Sequence, residues 1–189
     1  KWNLARFAEC LIPLIDKNEE TAIKIATDVI DNFQNIYEKK WLNMMRDKLG
    51  LFGEDKNDRK LIDDLLNWME KYKIDYTNTF CHLMEIKINE NTYKDKAFIT
   101  WFDEWKKRSK LNNSSKEKQI ELMKKNNPIV IPRNHKVEEA LIDVDKGNLE
   151  KFKNFLKVLN DPYSHNHNIK EFQKPAPITN KKYRTFCGT

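Results

Sequence analysis

Glycine and proline are scarce in this chain of 189 residues, at 4 and 6. The glycines lie at positions 50, 53, 147 and 188. Neither G-x-G-x-x-G nor a Walker loop can be written from them, so a backbone cradle for phosphate is not expected. Cysteine is limited to Cys10, Cys81 and Cys187, an odd number at wide spacings. That pattern suits neither a secreted disulfide framework nor a zinc site, and a reducing, cytoplasmic setting is the simpler expectation. No apolar run approaches the roughly 18–20 residues of a membrane span, so no membrane partner is expected. The opening Lys1-Trp2-Asn3-Leu4 carries no signal-peptide pattern, and the missing initiator Met reads as a fragment or a processed piece. Neither H-E-x-x-H nor C-x-x-C occurs.

What is present is apolar and charged in helical proportion. Hydrophobic residues make up 39%, with 10 Phe, 6 Tyr and 5 Trp, which excludes collagen, a low-complexity linker and full disorder. The length suffices for a real core without a disulfide or metal staple. Charged residues reach 34% and the net charge is +6. Residues 1–70 hold 11 basic and 14 acidic side chains, and residues 71–134 hold 14 and 8. A basic segment of this kind suits a nucleic-acid partner. Most of its lysines alternate with acids, however, and a solvated lysine-rich helical surface is the preferred reading.

Periodicity predicts helix after helix. Trp2, Leu4, Phe7, Leu11 and Leu14 form a first helix with Pro13 near its end. Ile23, Ile30, Phe33, Tyr37, Trp41 and Met44 form one stripe of a single helix over 19–49, capped by Asn18 and stopped by Gly50, with Leu51 folding back. Asn57 or Asp58 caps a helix bearing Leu61, Leu65, Trp68 or Met69, and Tyr72. Asp75 caps another with Tyr76, Phe80, Leu83 and Met84. Phe98, Trp101, Phe102 and Trp105 mark a strongly amphipathic helix over 94–108. Ser114 and Glu117 form a capping box for a helix through Lys125. Asn127 to Pro132 is bracketed by two prolines and reads as extended. Asn134 caps a helix with Val137, Leu141 and Val144. Gly147 ends it, and Asn148 caps the next, with Leu149, Phe152, Phe155 or Leu156, and Leu159. The expected architecture is all-α, a bundle of about eight helices. It divides into a helical body over 1–126, a connector over 127–133, a helical hairpin over 134–160 and an extended tail over 161–189, in one compact unit of a longer protein.

Candidate chemistry is thin. His165 and His167 can offer two imidazoles to a metal, but lack a third ligand and are better read as surface residues. Asp55-Lys56-Asn57-Asp58-Arg59 superficially matches a calcium loop, but lacks the glycine and places basic residues among the ligands. Arg133 and His135 at a helix start can bind an anion; the bland alternative is a cap by Asn134 with His135 packed or solvated. Cys10 and Cys81 read as buried small hydrophobes. Cys187, beside Arg184 and near the chain's end, is either a reactive thiolate or an incidental terminal cysteine.

Several stretches, taken in order, resemble a known family. Trp2-Asn3-Leu4-x-Arg6-Phe7-Ala8-Glu9-x-Leu11-x-Pro13-Leu14-Ile15, Met45-Arg46-Asp47-Lys48-Leu49-Gly50-Leu51 and Asp75-Tyr76-Thr77-Asn78-Thr79-Phe80 are similar to segments of the selenoprotein O (YdiU) family. So are Asn127-Pro128 through Pro132-Arg133-Asn134-His135, Glu138-Glu139-Ala140, Lys146-Gly147-Asn148, Asp161-Pro162-Tyr163 and the closing Cys187-Gly188-Thr189. The likeness covers essentially the whole chain. One departure is Cys81, where the family carries arginine.

The resemblance implies the C-terminal region of a protein adenylyltransferase with a kinase-like (pseudokinase) fold. Such a protein moves AMP from ATP to Ser, Thr or Tyr hydroxyls of protein substrates, with Mg²⁺ or Mn²⁺. The family's catalytic, ATP-binding and metal-binding motifs belong to an upstream segment, so no catalytic, cofactor or metal residue is assigned in this chain. The helices here would continue the helical lobe, with the upstream segment as their partner. Cys187 would pair, as a redox switch, with an upstream cysteine. The other expectations kept open are a free-standing helical interaction module, whose mark would be a dimer burying Trp101 and Trp105, and a basic helical nucleic-acid binder using 71–134.

Overall fold

The computed structural model describes residues 1–85, 91–111, 113–164 and 169–176. Every regular element among them is helical. The order is α1 (Trp2–Ile15), α2 (Glu19–Asp31), α3 (Phe33–Lys48), α4 (Asp58–Tyr72), α5 (Tyr76–Leu83), a 3₁₀ turn (Thr92–Lys94), α6 (Lys96–Lys110), α7 (Lys116–Asn126), α8 (Asn134–Asp145), α9 (Glu150–Leu159) and the single turn α10 (Lys170–Gln173).

Side-chain caps mark the starts of α2, α5, α6 and α7. Asn18 accepts from the Thr21 amide at 2.9 Å, Asp75 from Asn78 at 2.8 Å, and Asp95 from Ala97 and Phe98 at 3.0 and 3.2 Å. Each satisfies amides that the first turn leaves without a partner. Gly50 is left-handed at φ +66, and the Leu51 amide returns to the Arg46 carbonyl at 2.9 Å, closing α3. A Cβ on Gly50 would stand 2.6 Å from Gln119 Cγ and 2.8 Å from Met123 Cγ, so α7 crosses α3 where only glycine fits.

Five expectations change. The helix read as continuous over 19–49 is divided at Asn32 into α2 and α3, although the Asn32 amide still reaches the Asp28 carbonyl and its carbonyl still accepts from Ile36, both at 3.2 Å. Ser115, not Ser114, caps α7. Asn134 is the first residue of α8, which begins without a side-chain cap, and α9 begins likewise at Glu150. Asn148 still accepts from the Glu150 amide at 2.9 Å. Finally, Cys10 is exposed rather than buried. It lies off the side of α1 that meets α2, and its thiol donates weakly to the Arg6 carbonyl at 3.5 Å.

The core gathers α3's C-terminal end, α4, α5, α6, α7 and the connector. Its members include Met45, Leu49, Ile62, Leu65, Phe80, Phe98, Trp101, Met123 and Val130. Three indole N–H groups are spent inside it: Trp68 on Asp95 (3.0 Å), Trp101 on the Leu61 carbonyl (2.8 Å) and Trp105 on the Leu49 carbonyl (3.0 Å). Trp101 and Trp105 are therefore buried within the chain itself, so a dimer need not be invoked to cover them.

One carboxylate ties the elements together. Asp58, fully buried, accepts from Arg46 Nε at 2.6 Å, from Arg108 Nε at 2.6 Å and from the Asp55 amide at 2.9 Å. Arg108 also donates to the Phe52 and Gly53 carbonyls. The stretch with a superficial calcium-loop look is thus an ion-pair anchor joining α3, α4 and α6. Burial alone would raise the Asp58 pKa, but the hydrogen bonds from Arg108, the Asp55 amide and Arg46 outweigh it and hold the carboxyl below its ordinary value.

Candidate functional site

The motif Asp75–Phe80 and the motif Pro132–His135 meet in space. Arg133 grips Asp75 with both terminal nitrogens, Nη1 to Oδ2 at 2.5 Å and Nη2 to Oδ1 at 2.9 Å. Nη2 also reaches Asn78 Oδ1 at 3.3 Å. Asn78 Nδ2 then donates to the Gln173 carbonyl at 3.0 Å, and Gln173 Nε2 to the Ile129 carbonyl at 3.0 Å. Phe172 stacks on Phe155 at 5.2 Å. The connector, α5, α9 and the turn at 170–173 are laced into one polar seam with apolar flanks.

This arrangement settles the role of Arg133. A fork-shaped guanidinium matched to a carboxylate has little left for an external anion. Its Nε alone is buried with no acceptor. His135 is half-buried on α8, away from this pairing. The anion-site reading of Arg133 with His135 is thus replaced by an internal ion pair that sequence inspection missed. Its two halves lie 58 residues apart, and nothing in a single sequence couples them.

Beside the seam, Lys48 donates to the Asn126 carbonyl at 3.1 Å, and its ammonium sits over Phe80 at 4.8 Å. Burial lowers its pKa. Asn127 Nδ2 caps two helix ends at once, donating to the Lys48 and Met123 carbonyls, both at 2.8 Å. Cys81 lies fully buried here, and burial, reinforced by Asp75, pushes its thiol up to about 12 despite Arg133 and Lys48 nearby. A thiol so held is neither a nucleophile nor a ligand at neutral pH.

Cys187, His165 and His167 lie outside the described residues. Among the described residues no group of three His, Cys, Asp or Glu side chains could hold a metal ion, and no helix is long and apolar enough to cross a membrane. Several basic residues of 71–134 are matched by acids: Arg108 by the buried Asp58, Arg133 by the partly buried Asp75, Lys107 by Glu104, Lys116 by Glu85 and Lys125 by Glu121.

A sizeable cavity lies elsewhere. A trough of about 880 Å³ runs between α1 and α2, lined by Ala5, Ala8 and Ile12 on one wall and Ile23, Ala26 and Ile30 on the other. It has no paired acids or nucleophile arranged for chemistry.

The comparisons with known proteins decide the kinship. A family model described as protein adenylyltransferase SelO matches residues 1–160. The chain belongs to this family. Among its relatives is the protein nucleotidyltransferase YdiU of Pelagibacter ubique (strain HTCC1062), 53% identical over 190 residues, which take in all of this chain and 39% of that protein. YdiU of Clostridium perfringens (strain 13 / Type A) is 44% identical over 189 residues, and YdiU of Bacillus cereus (strain AH820) 46% over 191, again with 39% of each covered. The chain thus spans about two-fifths of the length of these SelO-family relatives. Its described residues form an all-helical region.

Proposed function

We propose that this chain is the helical support of a protein adenylyltransferase that transfers AMP from ATP to Ser, Thr or Tyr hydroxyls, and that Cys187 regulates it by redox pairing. The carrying observation is that relatives described as protein nucleotidyltransferases match the chain from end to end while extending well beyond it. In the reaction a substrate hydroxyl oxygen bonds to the α-phosphorus, the bond to the β-phosphate bridge breaks, pyrophosphate leaves and the hydroxyl proton passes to a base. A strand-borne lysine, a metal-holding carboxylate and that base serve phosphoryl-group chemistry of this kind. No residue of this chain is assigned to ATP or Mg²⁺. Its contribution is the rigid helical body, in which Asp58 and the Asp75–Arg133 pair fix α3 to α8 relative to one another.

The test is nucleotide transfer from labelled ATP to protein. The full-length protein is expected to transfer AMP, and the 189-residue piece is expected not to. Transfer by the piece alone, or transfer of a different nucleotide moiety by the whole, overturns the reading. For Cys187, thiol labelling in the full-length protein is expected to fall on oxidation, as a disulfide forms with loss of two electrons and two protons to a disulfide or peroxide oxidant. Equal labelling in both states removes the redox role.

A further inference from the structure

We infer that the trough of the α1–α2 hairpin seats a helix from the part of the same polypeptide lying outside this chain. The inference rests on the reading of the chain as a piece of a longer enzyme, and it names the surface where the two parts join.

Burial divides the molecule sharply. No residue of α1 is buried, and α2 buries only Ala22, whereas α4, of similar length, buries Leu61, Ile62, Leu65, Trp68 and Met69. Large apolar side chains crowd the hairpin surface: Trp2 is 72% exposed, Phe7 61%, Leu14 82% and Val29 62%. Apolar surface gathered in this way on a folded body marks an interaction site.

The geometry defines the occupant. The trough is walled by two antiparallel-type neighbours in an apolar groove, and alanines at 5, 8 and 26 leave room for a backbone to approach. Interhelical distances of about 8–10 Å depend on small side chains at the contact. A helix therefore fits, laid along the seam. Outside the trough, Leu4, Phe7, Leu11 and Leu14 recur at helical spacing on α1, and Ile25 and Val29 on α2. Leu11 and the walls are only partly covered. A hairpin carrying this much apolar surface gains stability when another element covers it. The carboxylates of Glu9, Asp16 and Glu19 outnumber Lys17 at the rim, so the occupant's matching end carries Lys or Arg.

The source follows from length. Roughly three-fifths of each relative lies outside the matched region, enough chain for a whole second layer. The body from Met45 onward has its own core. The hairpin does not, and it joins that body across the interruption at Asn32.

Hydrogen exchange on the full-length protein tests this. The α1 and α2 amides are expected to exchange about 1,000-fold more slowly than open peptide, within about tenfold of α4. Exchange at open-peptide rates in α1 and α2, with α4 and α6 protected, overturns the inference. So does protection that appears only with dimerisation on raising the concentration, since a second copy is then the occupant. In the full-length variant Ala26→Asp, protection is expected to fall in α1, α2 and at least one helix outside this chain, with α4 and α6 unchanged. The surface control Lys24→Asp is expected to change none of these. Loss confined to residues 1–31 in Ala26→Asp overturns the proposal. Nucleotide transfer is scored separately: a protein with a protected hairpin and no transfer sinks the enzyme reading alone, and a transferring protein with an open hairpin sinks the docking alone.

Discussion

Asp58 is the residue on which the body depends most. Two guanidinium groups converge on it with no water-facing surface left. Removing one partner of such a buried set strands the others, and Asp58→Ala is expected to cost about 3–5 kcal/mol in urea unfolding. The pH dependence follows from the direction of its shift. The folded pKa lies below the ordinary 3.8, so the stabilisation is complete above about pH 5 and is lost as pH falls through the folded value. The stability gap between the wild type and Asp58→Asn should stay constant from pH 7 to 5 and shrink on further acidification. Cysteines give a second check. Cys81, buried and with a thiol pushed up to about 12, is expected to resist labelling until the chain unfolds, while Cys10 in the isolated chain labels at once. Fast native labelling of Cys81 would contradict its placement. At this scale the sequence spoke unevenly. The Asp75 cap was legible, because it bonds the backbone three residues on. Its grip by Arg133 was not, because that pairing is made only when distant segments fold together.

Among the elements, the α3–α7 crossing is the tightest point. Gly50 combines a positive φ with a Cβ contact distance no real side chain shows. Gly50→Ala is expected to destabilise by about 2 kcal/mol, through strain and displaced α7 side chains, read as a lower denaturant midpoint at unchanged slope. Arg133→Met should instead loosen one region. The connector loses its ion pair to Asp75 and its bond to Asn78, the residue that in turn holds Gln173, so limited proteolysis and amide exchange should rise there before α4 and α6 are affected. Helix positions were legible because apolar side chains recur every three or four residues along nearly the whole chain. The interruption at Asn32 was hidden because that recurrence runs straight across it. The stripe containing Ile23, Tyr37 and Met44 marks a helix face for the same reason. Periodicity reports that a face is apolar, and says nothing of which body covers it; here those three stay exposed while Met45 and Leu49 are buried.

For the whole molecule, family membership was legible from short motifs kept in order, and the all-helical class from periodicity with few glycines. The unequal burial of α1 and α2 against α4 was not, since periodicity marks an apolar face without saying what covers it. That inequality gives the protein an optical reporter of its own. Trp68, Trp101 and Trp105 sit in the core, each with its indole N–H occupied, and their emission should hardly change with context. Trp2 stands in solvent in this piece. Comparing the isolated chain with the full-length protein carrying Trp2→Phe as a reference should show the Trp2 component shifting to the blue and losing iodide quenching in the longer protein. The first indole of the sequence would thus signal, by its colour, whether a further layer of the longer protein has closed over it.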